Sequence, residues 1–126
     1  MRSRTSDRLP DSGTLVDEQG RVACARCAVA TRPLARMRGL LGRASLDPGS
    51  GLLIARTSSI HTFFMSFPID AVYLDRELRV RAVVAGIRPF RISWRPGAKH
   101  VLELAAGEAA GAGIRAGSRL AWHDPE

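Results

Sequence analysis

The residues best suited to chemistry in this chain lie in the segment 61–75, which reads HTFFMSFPIDAVYLD. One imidazole, His61, and one carboxylate, Asp70, are set there among aromatic and aliphatic residues. Burying either group without a hydrogen-bond partner costs several kcal/mol. The segment therefore predicts either a buried polar site or a core that contains two energetically expensive side chains.

The relation between His61 and Asp70 depends on how two predicted strands, 60–65 and 69–74, pair. One hairpin register puts the two side chains on opposite faces, and a shift of one residue brings them onto one face. The sequence leaves both registers open. A histidine–carboxylate couple also needs a nucleophile or a metal, and no nearby hydroxyl lies in a G-x-S-x-G turn. Hydrolase-like catalysis by these residues therefore ranks third among three candidate functions, and the sequence does not decide whether the protein is an enzyme.

The spacing of histidines and cysteines predicts no metal site, and we expect no cofactor. His61, Asp70 and His100 match no established ligand spacing. Cys24 and Cys27 form a lone C-x-x-C in a predicted strand, where residues three apart point to opposite faces. Such sulfurs are too far apart to bond or to share a metal. We therefore favour two small strand residues, and the sequence leaves a redox or metal role for the pair open.

The charge of the chain comes mainly from arginine. Of 19 basic residues only Lys99 is a lysine, and the formal net charge is +7. Two tracts without acidic residues, 20–46 and 78–102, could build a basic face that attracts polyanions. A solvated arginine-rich surface is the simpler interpretation, because aromatic residues are not interleaved at regular spacing. Nucleic-acid binding is therefore the second candidate function, with Arg88, Arg91, Arg95 and Lys99 as its residues.

Length and composition predict one globular domain. The chain has 126 residues, of which 45% are hydrophobic and 25% charged, enough for a sizeable core. The chain has no run of about 18 apolar residues, so no membrane-spanning helix is predicted. The N-terminus lacks the apolar stretch of a secretory signal. We expect a disordered polar tail at 1–13, a single domain at 14–122, a short tail at 123–126 and a cytoplasmic location.

The pattern of apolar residues and turns predicts a mainly β fold, of the β-rich α+β kind. Residues alternate in polarity over 78–85, and a short apolar run covers 51–55. Two short helices are predicted near 33–41 and 107–112. The whole is expected to be a compact barrel or sandwich of seven or eight strands. The stretch 86–99, rich in Gly, Pro and Arg, is predicted to be a long loop of the kind that carries function.

Four motifs follow one another along the chain. They are RMRGLLGR at 36–43, SGLLI at 50–54, SIHTFFMSFPIDAVYLD at 59–75, and VLELAAG at 101–107 with IRAGSRL at 114–120. This order resembles the DUF192 (UPF0127) family of small prokaryotic domains without a known function. The resemblance covers about residues 28–121 and implies a β-rich fold, but no substrate, cofactor or mechanism. The family pattern falls on Arg38, Gly39, Leu40, Gly42, Arg43, His61, Met65, Ile69, Asp70, Leu74, Asp75, Leu102, Glu103, Leu104 and Gly107.

The charged residues of that pattern predict a polar cleft. Arg43 follows a predicted helix end, where a guanidinium can hold Asp70 or Glu103 through two hydrogen bonds. A purely structural pair that fixes the helix to the sheet is the alternative. We expect His61 to share a concave patch with at least one of these three residues, closed on one side by 86–99.

Our leading interpretation is a non-enzymatic binding module whose cleft takes a small or peptide-like ligand. Its candidate residues are Arg38, Arg43, His61, Asp70 and Glu103.

Overall fold

The computed structural model describes residues 9–31, 46–63 and 65–123. Nine strands and one short helix lie in these residues. In chain order they are β1 (Ser12–Val16), β2 (Val22–Ala30), β3 (Ser50–Ala55), β4 (Ser59–His61), β5 (Ile69–Leu74), β6 (Val80–Ile87), β7 (Ile92–Trp94), β8 (His100–Ala105), α1 (Glu108–Gly111) and β9 (Ala121–Trp122). The predicted mainly β fold class is confirmed, as is the helix near 107–112. The helix predicted near 33–41 lies outside the described residues.

Seven of the strands form one sheet in the order β6-β5-β8-β3-β2-β1-β9. Neighbours run antiparallel except β2 and β3, which run parallel. The two edges of the sheet meet at one end, where the N–H of Val80 donates to the carbonyl of Ser118 and Arg79 bridges Arg119. The sheet is therefore curved into a half-barrel. In the described part of the chain, no helix is long and apolar enough to cross a membrane.

Apolar side chains pack on both faces of this sheet. One cluster, the helix-side core, includes Leu53, Val72 and Leu102 together with Ala109 of α1. The cluster on the other face, the ribbon-side core, includes Ile54, Ile60, Phe67, Tyr73 and Val101. Because both faces are covered, strands β3, β5 and β8 are buried along almost their whole length, which explains their nearly continuous apolar sequences.

The two remaining strands, β4 and β7, pair with each other in a separate antiparallel ribbon. In this ribbon Ser59 faces Trp94 and His61 faces Ile92. The stretch 86–99 is thus not the continuous loop that the sequence predicted, because Ile92–Trp94 forms strand β7.

The predicted pairing of 60–65 with 69–74 is wrong. The N–H of Thr62 donates to the carbonyl of Arg91, and the buried Thr62 hydroxyl lies 2.7 Å from the carbonyl of Arg88. These bonds hold the end of β4 against the chain that leads into β7. Strand β5 pairs instead with β6 and β8. Neither hairpin register considered for His61 and Asp70 therefore exists.

A bulge in β2 gives Cys24 and Cys27 a relation that the sequence did not predict. Gly13 faces Cys27 and Leu15 faces Cys24, so two steps along β1 match three along β2. The extra residue turns the strand. Both thiols consequently lie in the helix-side core, where the Cys24 thiol donates to the carbonyl of Gly49 at 3.7 Å and the Cys27 thiol to the carbonyl of Ala28 at 3.6 Å. The expectation of opposite faces is wrong because it assumed a regular strand.

Candidate functional site

The structure describes three of the five residues predicted to line a polar cleft, and it does not bring these three together. On the adjacent strands β5 and β8, Asp70 faces Leu104 and Glu103 faces Ala71, so the two carboxylates point to opposite faces of the sheet. His61 lies on the ribbon and is exposed. The predicted cleft partners Arg38 and Arg43 lie outside the described residues, and their role stays a prediction.

Asp70 is fully buried and serves as an anchor for backbone groups. Its Oδ1 accepts the N–H of Gly86 at 2.9 Å, and its Oδ2 accepts the N–H groups of Gly107 and Ala109, both at 3.0 Å. Three donors satisfy a carboxylate that would otherwise be too costly to bury. They tie β6 and the start of α1 to β5, and they lie away from the ribbon that carries His61.

Glu103 is buried in a different way, as an acid that keeps its proton. The side chain is 1% exposed, and its Oε1 has no hydrogen-bond partner among the described residues. Burial raises the pKa of Glu103 to about 8, since low-polarity surroundings disfavour the charged form. Near neutral pH the side chain is therefore mainly a neutral carboxylic acid inside the ribbon-side face, and not a charged wall of an open cleft.

Tyr73 on the same face connects the sheet to the ribbon. Its hydroxyl donates to Ser93 Oγ at 2.6 Å, and burial raises the pKa of the phenol, so the donor stays protonated. Sequence reasoning missed both residues, since a tyrosine in one strand and a serine 20 residues later carry no joint signal.

The outer face of the ribbon exposes large apolar side chains. Because Ser93 points inward to Tyr73, its neighbours Ile92 and Trp94 point outward, and each is 61% exposed. Phe90, which precedes β7, is 68% exposed. We call this surface the aromatic ribbon face and define it by His61, Phe63, Phe90, Ile92 and Trp94. Within it the rings of His61 and Phe63 lie 5.0 Å apart.

Exposed cationic residues precede and follow strand β7 in the chain. Arg88, Arg91 and Arg95 are all exposed, and none of them pairs with an acidic side chain in the described parts of the chain. No acid occurs in residues 56–69 or 78–102. Lys99, the fourth residue predicted to bind nucleic acid, is exposed beyond the end of β7. The ribbon thus joins unneutralised positive charge to exposed aromatic rings.

Comparison with protein families adds to this geometry. Residues 14–122 match the family model of DUF192, which is described as "Uncharacterized ACR". The chain belongs to the DUF192 family. The resemblance found in the four sequence motifs is therefore confirmed. No curated protein matches the chain.

Two solved structures share the fold of this DUF192 domain. A Sinorhizobium meliloti protein named as a "putative transcription regulator" is 22% identical with a TM-score of 0.78, and the match covers 97% of this chain and 96% of that one. A Novosphingobium aromaticivorans protein of unknown function is 24% identical with a TM-score of 0.76, covering 88% of this chain and 84% of the other. At such identities the likeness extends to the fold alone.

The cysteine pair of the DUF192 domain is the closest arrangement to a redox site that the described residues contain. The neighbouring Cys24 thiol and burial raise the pKa of Cys27, whereas the neighbouring Cys27 thiol lowers the pKa of Cys24. Both thiols are buried. Across residues 9–31, 46–63 and 65–123, no group of three or more His, Cys, Asp or Glu side chains is placed to hold a metal ion.

Among these features, the aromatic ribbon face of the DUF192 domain is the one open to a large ligand. Exposed rings can stack on other flat groups, and guanidinium groups can bind phosphate or carboxylate. The arginines were predicted from the sequence, whereas the exposure of the rings was not. Residue spacing gave no sign that Ile92 and Trp94 point outward, because that follows from the inward bond of Ser93 to Tyr73.

Proposed function

We propose that this DUF192 domain is a non-enzymatic binding module and that it binds single-stranded nucleic acid on the aromatic ribbon face. The observation that carries the proposal is the exposure of Trp94 on the ribbon that also carries Arg91 and Arg95. Proteins that bind single strands combine stacking side chains with cations that follow the phosphates. Here Trp94 is exposed in β7, and the exposed Arg91 and Arg95 lie immediately before and after that strand.

The single-stranded form is favoured over the duplex by the shape and chemistry of the ribbon. Stacking on Trp94 or Phe90 requires a base with an open face, and a base pair inside a duplex offers none. The two strands of the ribbon have three residues each. The helix found in the described parts of the chain, α1, has four residues. No described helix is therefore long enough to read a major groove, which is about 12 Å wide.

The charges near the ribbon favour a polyanion over a neutral ligand. Arg88, Arg91 and Arg95 have no acidic partner among the described residues, so they can neutralise phosphates without first breaking an ion pair. The name of the Sinorhizobium meliloti protein is compatible with such a role.

Two other functions rank behind this one. A small or peptide-like ligand in a polar cleft depends on Arg38 and Arg43, together with His61, Asp70 and Glu103, of which Asp70 and Glu103 are buried on opposite faces. Hydrolase-like catalysis depends on a contact between His61 and Asp70. The strands that carry these residues, β4 and β5, do not pair with each other.

The test compares Trp94→Ala with Val22→Ala by fluorescence anisotropy of labelled oligodeoxythymidine and oligouridine at low salt. Trp94→Ala should weaken binding by about 1–3 kcal/mol, the usual contribution of one stacked base. Val22 is also an exposed apolar residue, 51% accessible at the start of β2, but it lies outside the ribbon. Val22→Ala should leave the affinity unchanged.

We expect the wild-type chain to bind single strands more tightly than the matching duplex. No detectable binding at low salt would remove it. Equal losses in Trp94→Ala and Val22→Ala would also contradict it, since the surface responsible would then lie elsewhere. Binding of an acidic peptide with the same dependence on Trp94, but not of any oligonucleotide, would assign the ribbon to a protein partner instead.

A further inference from the structure

An open pocket of about 510 Å³ lies where the ribbon adjoins the ends of β3 and β8. Its volume falls within the range of about 300–1,000 Å³ that is typical of small-molecule sites. The pocket is lined by Arg56, Thr57, Ser58, Arg76, Ala98, Lys99 and His100. The polar cleft predicted from the sequence contains none of these residues.

The lining residues carry three positive charges and no carboxylate. The cations are Arg56, Arg76 and Lys99, and none of them forms an ion pair with any residue that the structure describes. The charge of Asp75 acts on His100 of the pocket, and the Oδ1 of Asp75 already accepts the N–H groups of Glu77 and Arg79. The pocket is thus a concave surface with unneutralised positive charge, which favours an anionic ligand.

The floor of the pocket is held in place by backbone bonds. The N–H of Arg56 donates to His100 Nδ1 at 3.1 Å, and the N–H of Thr57 donates to the carbonyl of Lys99 at 3.0 Å. Arg56 adopts a φ of 61°, a left-handed backbone conformation that these bonds maintain. The site is therefore ordered before any ligand enters.

His100 adds a neutral hydrogen-bond donor to the pocket. Burial and the neighbouring Arg56 both lower the pKa of His100, so the ring is uncharged near neutral pH. Because Nδ1 accepts a hydrogen bond from Arg56, the proton of the neutral ring lies on Nε2. Ser58 also lines the pocket and offers a hydroxyl as a second polar group.

We infer that this pocket binds a small phosphomonoester, with its phosphate between Arg56, Arg76 and Lys99. A phosphomonoester carries a charge of about −1.5 to −2 at pH 7 and three acceptor oxygens, so it matches the three cations that line the pocket better than a single carboxylate does. The volume exceeds the need of a phosphate ion and leaves space for an organic group. This ligand is independent of the aromatic ribbon face and of nucleic acid.

The pocket adjoins the ribbon, so two sources of phosphate must be distinguished. One is a free phosphomonoester, and the other is the end of a nucleic-acid strand bound on the ribbon. The N–H of Arg95 donates to the carbonyl of Ser58, which places the end of the ribbon beside the pocket wall. A 5′-phosphate on a bound strand carries the same chemistry as a free phosphomonoester. The experiment therefore includes free and strand-borne phosphates as separate arms.

Isothermal titration calorimetry on the full chain, with ribose 5-phosphate, AMP, adenosine and inorganic phosphate, tests the assignment. Ribose 5-phosphate and AMP should bind, adenosine should not, and inorganic phosphate should bind more weakly than ribose 5-phosphate. Arg76→Gln should raise the Kd for AMP about tenfold or more, the usual effect of losing one charged hydrogen bond. Arg115→Gln removes an exposed positive charge outside the pocket and should leave this Kd unchanged.

Several outcomes would overturn the inference. These are an absence of AMP and ribose 5-phosphate binding, equal effects of Arg76→Gln and Arg115→Gln, and equal affinities for inorganic phosphate and ribose 5-phosphate. A preference for 5′-phosphorylated over 5′-hydroxyl oligodeoxythymidine without AMP binding would assign the pocket to strand ends. Trp94→Ala should not alter AMP binding, so the pocket and the ribbon can fail independently of each other.

Discussion

The hydroxyl of Tyr73 donates a hydrogen bond of 2.6 Å to the hydroxyl of Ser93, and this bond joins the main sheet to the inner side of the ribbon. Tyr73 is fully buried, so its phenol has no access to bulk water as a substitute acceptor. Ser93 lies between Ile92 and Trp94, whose side chains must then point outward. A bond in the interior thus determines which apolar groups the protein presents to solvent.

Removing that bond should loosen the ribbon with a modest loss of global stability. Tyr73→Phe keeps the ring but removes the donor, and we expect the free energy of unfolding to fall by about 0.5–1.5 kcal/mol. Ser93→Ala should have a similar effect. The double variant should cost little more than either single variant, because both remove the same interaction. Urea unfolding measures these values, and additive losses would show that the two hydroxyls act separately.

Local exchange provides a second measurement on the same variants. The ribbon amides of residues 59–61 and 92–94 should exchange hydrogen faster in Tyr73→Phe than in the wild type, whereas the amides of β8 should change little. The bond between the hydroxyls links the ribbon to β5, and β8 is held by its own ladders to β3 and β5. Uniform acceleration across the sheet would contradict a local role for the bond.

Asp70→Asn should destabilise the fold far more than an exposed Asp→Asn change does. The amide retains one acceptor oxygen, but its NH₂ group must face at least one of the N–H groups from Gly86, Gly107 and Ala109. Losing charged hydrogen bonds and leaving a buried donor unpaired should cost about 2–4 kcal/mol. Asp47→Asn, at an exposed loop position, is the control and should stay within about 0.5 kcal/mol. Equal effects in urea unfolding would argue against the anchoring role.

The sequence predicted the fold class and most of the sheet for a simple physical reason. A continuous apolar run indicates a strand that is buried on both faces, and this holds for β3, β5 and β8. The same pattern says little about which strand is the neighbour. Strand β4 pairs with β7, more than 30 residues away in the case of Ser59 and Trp94, because Thr62 bonds the chain near Arg91.

The candidate site was harder to predict because it depends on three-dimensional neighbours. Asp70 and Glu103 look alike as lone acids in apolar strands, yet Asp70 has three N–H partners and Glu103 Oε1 has none among the described residues. The bulge that brings Cys24 beside Cys27 breaks the two-residue period on which the prediction relied. Sequence patterns register the residue types, whereas hydrogen bonds between distant segments decide their roles.

Glu103 should make the protein less stable as the pH rises through the range of about 4.5 to 8. The pKa of this carboxyl is about 8 in the folded protein against 4.5 for the ordinary group. Between those values the folded state binds a proton that the unfolded state has released, so the free energy of unfolding falls with increasing pH. The full effect is on the order of 5 kcal/mol, at 1.36 kcal/mol for each pKa unit.

Glu103→Gln replaces the titrating carboxyl group with an amide. It should therefore reduce the dependence of the free energy of unfolding on pH. The variant should be more stable than the wild type at pH 8 and similar to it near pH 4.5, as measured by urea unfolding across this range. Glu77→Gln, at an exposed turn, is the control and should preserve the wild-type slope. An unchanged slope in Glu103→Gln would show that another group causes the pH dependence.

The salt dependence of nucleic-acid binding should identify how many arginines meet phosphates. For single strands the logarithm of the association constant falls with the logarithm of salt concentration, with a slope of about −0.7 for each phosphate neutralised. If Arg88, Arg91 and Arg95 each meet one phosphate, the slope should be about −2. Arg91→Gln should bring it closer to zero by about 0.7. Arg115→Gln has the same change of net charge away from the ribbon, and its slope should match the wild type. Equal slopes in all three proteins would mean that Arg91 contacts no phosphate. Equal shifts of the slope in both variants would mean that the salt dependence follows the net charge of the protein and not contacts at the ribbon.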